Sequence, residues 1–182
     1  MEAQWLDDDE QAAWRRLVAV VELLPGALDS QLRRDAGLTH FDYTVLAMLS
    51  EAPQRTLRMT ALAAQVNATL PRLSHVVHRL EGRGLVKRFP CPHDGRATNA
   101  RLTPSGWRKV RDTAPGHVAN VRRHVIDALT PDQVAQLSAI TEAILQRLDP
   151  DGTMTAMYHR HNRAPGQPPG NTGDKRSTGR HP

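Results

Sequence analysis

The sequence predicts a mainly α-helical (α+β) fold in which a winged helix-turn-helix domain lies between N- and C-terminal helices. Amphipathic patterns with helical spacing recur along most of residues 1–148. Two short patterns flank a polar break at Asn67, and two strand-like segments around an Asp-Gly pair follow them. Helix, turn, helix and hairpin in that order form a shape that enters DNA grooves.

The N-terminal region, residues 1–36, is predicted to form one kinked helix or two short helices. Acidic residues at its start favour a helix N-terminus. The Pro25-Gly26 pair interrupts the pattern, which predicts the kink. The apolar positions that recur at helical spacing are Trp14, Leu17, Val18, Val21, Leu24, Leu28 and Leu32.

The domain predicted for residues 37–103 begins with a helix that Thr39 caps and that ends near Pro53. A short strand is expected from Leu57 to Met59. Thr60 is then predicted to cap the first helix of the helix-turn-helix. The side chains expected to face inward from that helix are Leu62, Ala63 and Val66.

The second helix of the pair is the best defined by its pattern. Thr69 is a good N-cap, and Pro71 is tolerated in the first turn because its missing N–H would have no helical partner there. Gly84 provides the left-handed residue that ends the helix. The apolar stripe at i, i+3, i+4 and i+7 consists of Leu73, Val76, Val77 and Leu80.

Polar residues occupy the outward face of this helix. They are hydrogen-bond donors at the spacing that a recognition helix needs to reach base edges and phosphates. A solvated surface with no partner is the alternative interpretation of such a face. These residues are Arg72, Ser74, His75, His78 and Arg79.

The wing is predicted as a hairpin of two strands, from Leu85 to Phe89 and from Ala97 to Leu102. Arg96 follows the turn, and Asp94 is close enough to hold its guanidinium. An arginine at the end of a ribbon suits a narrow minor groove, where the potential is most negative. Lys87 and Arg88 lie on the same ribbon.

Positive charge is concentrated on the predicted helix-turn-helix and wing. From Arg58 to Arg101 there are eight Lys and Arg residues against two acidic residues, Glu81 and Asp94, whereas the whole chain has a net charge of +5. A basic excess on the segment with groove-reading geometry is typical of a DNA-binding protein.

The C-terminal region, residues 104–148, is predicted to contain two helices. Thr103-Pro104 begins the first, and Pro115-Gly116 is expected to kink or break it. Thr130 to Gln133 forms a capping box that begins the second. Residues 149–182 are rich in Pro, Gly and polar residues, which predicts a disordered basic tail.

The runs HRLEGRGLVKR and HDGRATNARLTPSG resemble the MarR family of bacterial winged-helix regulators over roughly residues 10–148. The matching motifs are Leu80 to Val86, Asp94 to Arg96 and Leu102 to Gly106. The resemblance implies that Arg96 reaches the minor groove, that Asp94 orients it, and that the preceding helix reads the major groove. Gly95 stands where the family often has a charged residue, so one phosphate contact fewer is expected.

The expected interface with double-stranded operator DNA combines the outward helix residues with the wing. Its members are Thr69, Leu70, Pro71, Arg72, Ser74, His75, His78, Arg79, Lys87, Arg88, Asp94 and Arg96.

The terminal helices are more apolar than a small winged domain requires, which favours burial against a second chain. The resemblance implies a homodimer that these helices hold together. A two-fold dimer presents its recognition helices about one DNA turn apart, ~34–36 Å, and therefore predicts a pseudo-palindromic operator.

A small aromatic ligand is a further implication of the resemblance, because family pockets lie between the dimer helices and the winged domain. The candidate wall residues are Trp14, Phe41, Tyr43, Met48 and Trp107. Ordinary core packing is the alternative interpretation for each of them.

No catalytic motif and no cofactor motif stands out in the sequence. Cys91 lies in the wing, where no helix N-terminus is expected to lower the pKa of its thiol, which argues against redox sensing. Cys91, His93 and Asp94 could ligate a metal, but three ligands within four residues would make a strained site, so none is expected. His117 and His124 are expected to be solvated.

The sequence thus predicts a transcriptional regulator, expected to be a repressor and to respond to a ligand, and not an enzyme. Two alternatives are a winged helix that contacts proteins and a small enzyme that uses the winged domain to dimerise. Neither an apolar run of about 18 residues nor a secretion signal is present, so a cytoplasmic protein without a membrane span is expected.

Overall fold

Six α-helices and a three-stranded antiparallel sheet make up the computed structural model of the protein, which describes residues 5–92 and 94–154. The predicted tail lies outside these residues from position 155 onward. The winged helix-turn-helix fold is confirmed. In chain order the elements are α1 (Asp8–Ala36), α2 (His40–Glu51), a 3-10 turn (Pro53–Arg55), β1 (Thr56–Arg58), α3 (Met59–Gln65), α4 (Leu70–Gly82), β2 (Val86–Cys91), β3 (Asp94–Leu102), α5 (Pro104–His124), a 3-10 turn (Ile126–Ala128) and α6 (Pro131–Leu148).

Neither internal proline divides its helix, so the expected alternatives of two short N-terminal helices and of a break at Pro115 are wrong, while the kinks stay a prediction. α1 runs unbroken for 29 residues through Pro25, and α5 runs for 21 residues through Pro115. Proline in a helix interior removes a hydrogen bond and costs about 3 kcal/mol. Packing of α1 on α5 offsets that cost, since Leu28 and Leu32 are buried and the Asn120 amide donates to the Ala27 carbonyl at 3.4 Å.

Side-chain caps begin four of the helices where the sequence predicts them. Thr39, Thr69, Thr103 and Thr130 each accept a hydrogen bond from a backbone N–H of the first turn. The predicted cap at Thr60 is wrong, because α3 begins at Met59 and its N-cap residue makes no side-chain hydrogen bond. The strand β1 ends immediately before that point, so backbone pairing determines where the helix begins.

One core joins the end of α1 to α2, α3, α4 and the base of the wing. The predicted stripe of α4 is buried in it throughout. The residues with no more than 3% of their surface exposed include Leu32, Leu38, Val45, Leu46, Leu49, Leu62, Leu73, Val77, Leu80, Val86, Ala100 and Leu102.

The sheet has the strand order β1-β3-β2, with both pairs antiparallel. β1 is the short strand expected beside the wing, and it pairs Leu57 with Ala100. The hairpin strands extend further toward the tip than predicted, up to a Cys91–Asp94 pair, and the register shifts between Pro90 and Cys91. The wing is therefore a supported ribbon rather than a loose loop.

The end of α4, the base of the wing and the start of α5 pack closely together at one junction. Gly84 has the left-handed φ of 69° that the sequence predicts. The Thr103 hydroxyl donates to the Gly84 carbonyl at 2.7 Å and accepts the Gly106 N–H at 2.9 Å. The Thr103 N–H donates to the Leu85 carbonyl at 3.0 Å. The Leu-Thr-x-x-Gly motif thus holds three elements together.

The helix α6 buries none of its residues within the single chain. Large apolar side chains on it remain exposed, among them Ile140 at 57% and Leu148 at 76%. Among the described residues, no helix is both long and apolar enough to cross a membrane.

Gly106→Ala is expected to destabilise the fold strongly. A Cβ atom at this position would lie 2.1 Å from the Leu85 carbonyl oxygen and 2.7 Å from a methyl of Leu102. Overpacking costs about 1–3 kcal/mol, and a clash with backbone places this change near the upper end or beyond. Urea denaturation followed by circular dichroism measures the loss in the free energy of unfolding.

Gly82→Ala is the matched control, because nothing lies within 4 Å of a Cβ atom there. Alanine in a helix is favoured over glycine by roughly 0.5–1 kcal/mol, so this variant is expected to be as stable as the natural chain or slightly more so. Equal stability of the two variants would contradict the close approach at Gly106.

Candidate nucleic-acid interface

The outward face of α4 is exposed as predicted. Leu70, Pro71, Arg72, His75, His78 and Arg79 are exposed, and Ser74 is half-buried. The Thr69 hydroxyl accepts the Arg72 N–H at 3.4 Å, which orients the first turn of the helix. Side chains at the N-terminal end of a recognition helix are those that reach base edges.

The wing tip places Arg96 and Asp94 differently from the prediction. Asp94 accepts the backbone N–H of Arg96 at 3.2 Å, and its carboxylate lies 3.9 Å from the guanidinium of Arg58 on β1. The expectation that Asp94 holds the guanidinium of Arg96 is therefore wrong for this structure. Among the described residues, the Arg96 side chain forms no ion pair, and it is exposed.

A crevice of about 210 Å³ separates α4 from the wing. Leu70 and Ser74 line it from α4, and Arg88, Arg96 and Thr98 line it from the wing. Met59 and Thr60 complete it from the start of α3. Met59, Thr60 and Thr98 were not among the predicted DNA contacts. The sequence does contain a signal for Thr98, because it lies two residues after Arg96 and therefore on the same face of the strand.

Arg88 connects the wing to the recognition helix. Its guanidinium Nε donates to Glu81 at 2.8 Å, and its backbone N–H donates to the other carboxylate oxygen at 2.8 Å. These bonds from the Arg88 backbone and side chain lower the pKa of Glu81, so the carboxylate stays charged. The guanidinium also reaches Nδ1 of His78 at 3.2 Å. Arg88 is thus partly neutralised by the protein.

Two arginines on α4 itself contact α2. The guanidinium of Arg72 lies over the Phe41 ring, 4.5 Å from its centroid. Arg79 donates to the carboxylate of Asp42 at 2.5 Å. Neither partner is evident from sequence spacing, because the pairs are 31 and 37 positions apart in the chain.

An open groove of about 620 Å³ lies between α2 and α5. Two of the five candidate wall residues, Tyr43 and Trp107, line it together with Val110, Ala114 and Val118. The other three candidate wall residues do not line it. Met48 is buried in the core, Trp14 is exposed on α1, and Phe41 lies beneath Arg72.

His117 lies next to this groove and is half-buried, which corrects the expectation that it is solvated. Its ring lies 4.6 Å from that of Tyr43 and 6.2 Å from that of His40, measured between centroids. Burial lowers the pKa of both histidines, and the charge of His40 lowers that of His117 further. His124 is exposed as expected.

Cys91 is buried, and its sulfur lies 3.6 Å from the guanidinium of Arg58. The metal alternative at the wing tip includes His93, which lies outside the described residues. Within residues 5–92 and 94–154, no three His, Cys, Asp or Glu side chains are grouped so that they could hold a metal ion.

In sequence and in structure, the chain is similar to proteins of the MarR family. The sequence profile of the MarR family matches residues 38–98. Sco3205 from Streptomyces coelicolor, a MarR family transcriptional regulator solved in complex with DNA, is 46% identical over 81% of this chain and 92% of that chain, with a TM-score of 0.78. AbsC, a MarR family regulator from the same organism, is 40% identical over 80% of this chain and 98% of that one, with a TM-score of 0.75.

CouR from Rhodococcus jostii, solved with p-coumaroyl-CoA bound, is 26% identical over 81% of this chain and 97% of that chain, with a TM-score of 0.65. These similarities extend beyond the winged domain into the terminal helices, because they cover four fifths of the sequence.

Thermal stability is expected to fall as the pH drops below about 6.5, in part because of His117. Burial lowers the pKa of His117 below its ordinary value of 6.5, so the unfolded chain takes up a proton before the folded chain does. The contribution of neutral His117 to the free energy of unfolding is therefore present above pH 6.5 and is lost as the pH falls below that value. Melting temperatures at pH 7.5 and 5.5 measure this loss.

His117→Phe keeps a ring against Tyr43 and should lose less stability on acidification than the natural chain. His124→Phe, which removes an exposed histidine of the same helix, is the matched control. An identical loss in all three proteins would contradict the assignment to His117.

Proposed function

The chain belongs to the MarR family of transcriptional regulators, and from that premise we propose that it represses transcription by binding a pseudo-palindromic operator as a homodimer. The observation that supports this most directly is the crevice between α4 and the wing, which has a DNA-reading element on each side. On this proposal the protein acts in the cytoplasm, where it meets its operator.

On the proposed interface, α4 reads the major groove and Arg96 enters the minor groove. Arg96 projects from a supported hairpin and has no ion-pair partner among the described residues, so its charge is available to a phosphate-lined groove. Asp94 contributes by fixing the turn through the Arg96 N–H. Lys87 and His75 add exposed donors, while Arg72, Arg79 and Arg88 reach DNA from positions that the protein itself constrains.

The homodimer is proposed from the apolar surface that a single chain leaves uncovered. On α6 that surface includes Ile140 and Ile144, and on α1 it includes Trp14, Val20 and Val21. Apolar area of this extent on two long helices is favourable only when a second surface covers it. A second copy supplies the same pair of helices, which suits a two-fold interface.

A small aromatic acid or ester is proposed as the ligand of the groove between α2 and α5. Tyr43 and Trp107 offer ring faces, and the guanidinium of Arg55 lies 4.1 Å from the centre of the Trp107 ring. Nδ1 of His117, beside Tyr43, is buried and has no hydrogen-bond partner among the described residues, so it could bond a polar ligand group. CouR, whose structure holds an aromatic thioester, supports this ligand class.

The two alternative functions, a protein-binding winged helix and a small enzyme, have less support. A winged helix that contacts proteins would not require the basic excess or the exposed, unpaired Arg96 of the described wing. An enzyme would need a catalytic group, and the one nucleophilic thiol, Cys91, is buried in the sheet.

Operator binding tests the main proposal. Anisotropy titrations with DNA from the region upstream of the protein's own gene should show tight binding that weakens steeply with salt, because Lys and Arg release condensed counterions. Arg96→Ala should weaken binding by roughly 1–3 kcal/mol, the range for one good arginine contact, with no change in melting temperature.

Arg123→Ala is the control for charge, since it removes an exposed arginine from the far end of α5. That end lies about 30 Å from the wing, given a rise of about 1.5 Å per residue. Equal losses in both variants would indicate a nonspecific charge effect. Binding that is insensitive to salt would favour a protein partner.

Dimerisation is tested by charge on the exposed face of α6 in the full chain. Ile140→Glu combined with Ile144→Glu should convert a dimer to a monomer in sedimentation velocity, because two carboxylates would have to be buried. Gln146→Glu adds charge to the opposite side of α6 and should leave the dimer intact. A natural chain that sediments as a monomer, or a double variant that remains a dimer, would contradict this interface.

A further inference from the structure

The first turn of α2 contacts the recognition helix through two adjacent residues. Phe41 lies under Arg72, and Asp42 binds Arg79. The two arginines are seven positions apart, which is about two turns, so they lie on the same side of α4. A single turn of α2 thus contacts both ends of one face of the recognition helix.

Phe41 offers Arg72 an aromatic face rather than a core contact. The ring is only half-buried and lies at the edge of the hydrophobic core. The guanidinium carbon lies 4.5 Å from the ring centroid, within the range of a cation–π interaction. Arg72 remains exposed, so guanidinium N–H groups on the side away from the ring are accessible, and arginine N–H groups are those that pair with guanine.

Asp42 is fixed independently of Arg79. It is 2% exposed, and one carboxylate oxygen accepts the Thr39 N–H at 3.0 Å, while its own N–H donates to the Thr39 hydroxyl at 2.9 Å. The second oxygen is left for Arg79 at 2.5 Å. Because the carboxylate is held by the backbone, it determines where the Arg79 guanidinium lies. About half of the Arg79 side chain, 52%, still faces solvent.

We propose that Phe41 and Asp42 are positioning residues for DNA recognition, holding Arg72 and Arg79 in the conformations in which they meet the operator. Arginine loses considerable rotamer freedom when it binds, and side chains ordered in advance lose less on association. The proposal rests on the proposed function, since it concerns how the same interface reaches its affinity and base selectivity.

A double-mutant cycle on Phe41 and Arg72 tests it. Dissociation constants of Phe41→Leu, Arg72→Ala and the double variant are measured on the operator and on operators with single base-pair changes. Arg72→Ala should weaken binding roughly tenfold and lose selectivity at the base pair that it reads. Phe41→Leu should weaken binding about two- to fivefold, as expected for an exposed cation–π contact, and lose selectivity at the same base pair.

Two comparisons separate positioning from general destabilisation. In the Arg72→Ala background, Phe41→Leu should have no further effect on binding, and Phe41→Tyr, which keeps the aromatic face, should bind as the natural chain does. Phe89→Leu is the matched control, because Phe89 lies 4.8 Å beneath Arg101 in the wing. That variant should leave base selectivity unchanged.

The Asp42 contact is tested in the same way with Asp42→Asn and Arg79→Met. Asparagine keeps an oxygen for the Thr39 N–H and removes the charge that holds Arg79. Its effect on affinity should disappear in the Arg79→Met background. If Asp42→Asn does not fold, as circular dichroism would show, the Phe41 series alone decides the proposal.

The outcomes separate this proposal from the proposed function. A natural chain that binds no operator sequence would overturn both. Specific binding by the natural chain, with losses at Phe41 and Arg72 that simply multiply or with no loss at Phe41, would overturn the positioning role alone.

Discussion

The close approach of Gly106 to the Leu85 carbonyl is the constraint on which the arrangement of α4 and the wing depends. At that point the end of α4, the base of the wing and the start of α5 meet, and the Thr103 hydroxyl bonds both sides of the contact. A larger residue would separate these elements. Since α4 and the wing diverge from this junction, their relative position is constrained by a gap too small for one methyl group.

The arginines of the interface show how the protein limits the cost of a basic surface. Arg72, Arg79 and Arg88 each have a partner within the chain: an aromatic ring, a buried carboxylate and a half-exposed carboxylate. These contacts reduce repulsion among like charges and restrict the arginine side chains in the free protein. Arg96 differs, because a supported backbone rather than a side-chain partner orients it.

The first turn of α2 lies between two surfaces with different proposed roles. His40 and Tyr43 face His117 on α5, while Phe41 and Asp42 face the arginines of α4. Alternation of this kind follows from the helical repeat, which turns successive residues by about 100°. The proposed ligand groove and α4 therefore lie on opposite sides of a single turn of α2. The backbone of that turn is also bonded to α1, because the His40 N–H donates to the Asp29 carboxylate at 2.8 Å.

The sequence by itself determined what depends on short-range pattern: the stripe and cap of α4, the hairpin that follows it, the left-handed Gly84, the capping box at Thr130 and the concentration of basic residues on one segment. Helical periodicity and turn chemistry act over a few residues, so they can be inferred without a fold. Tertiary structure decided whether Pro25 and Pro115 break their helices, where α3 begins, and which residues pair with Asp94, Phe41 and Asp42. Those outcomes depend on packing energy or on contacts between positions more than 30 residues apart, and local spacing carries no information about either.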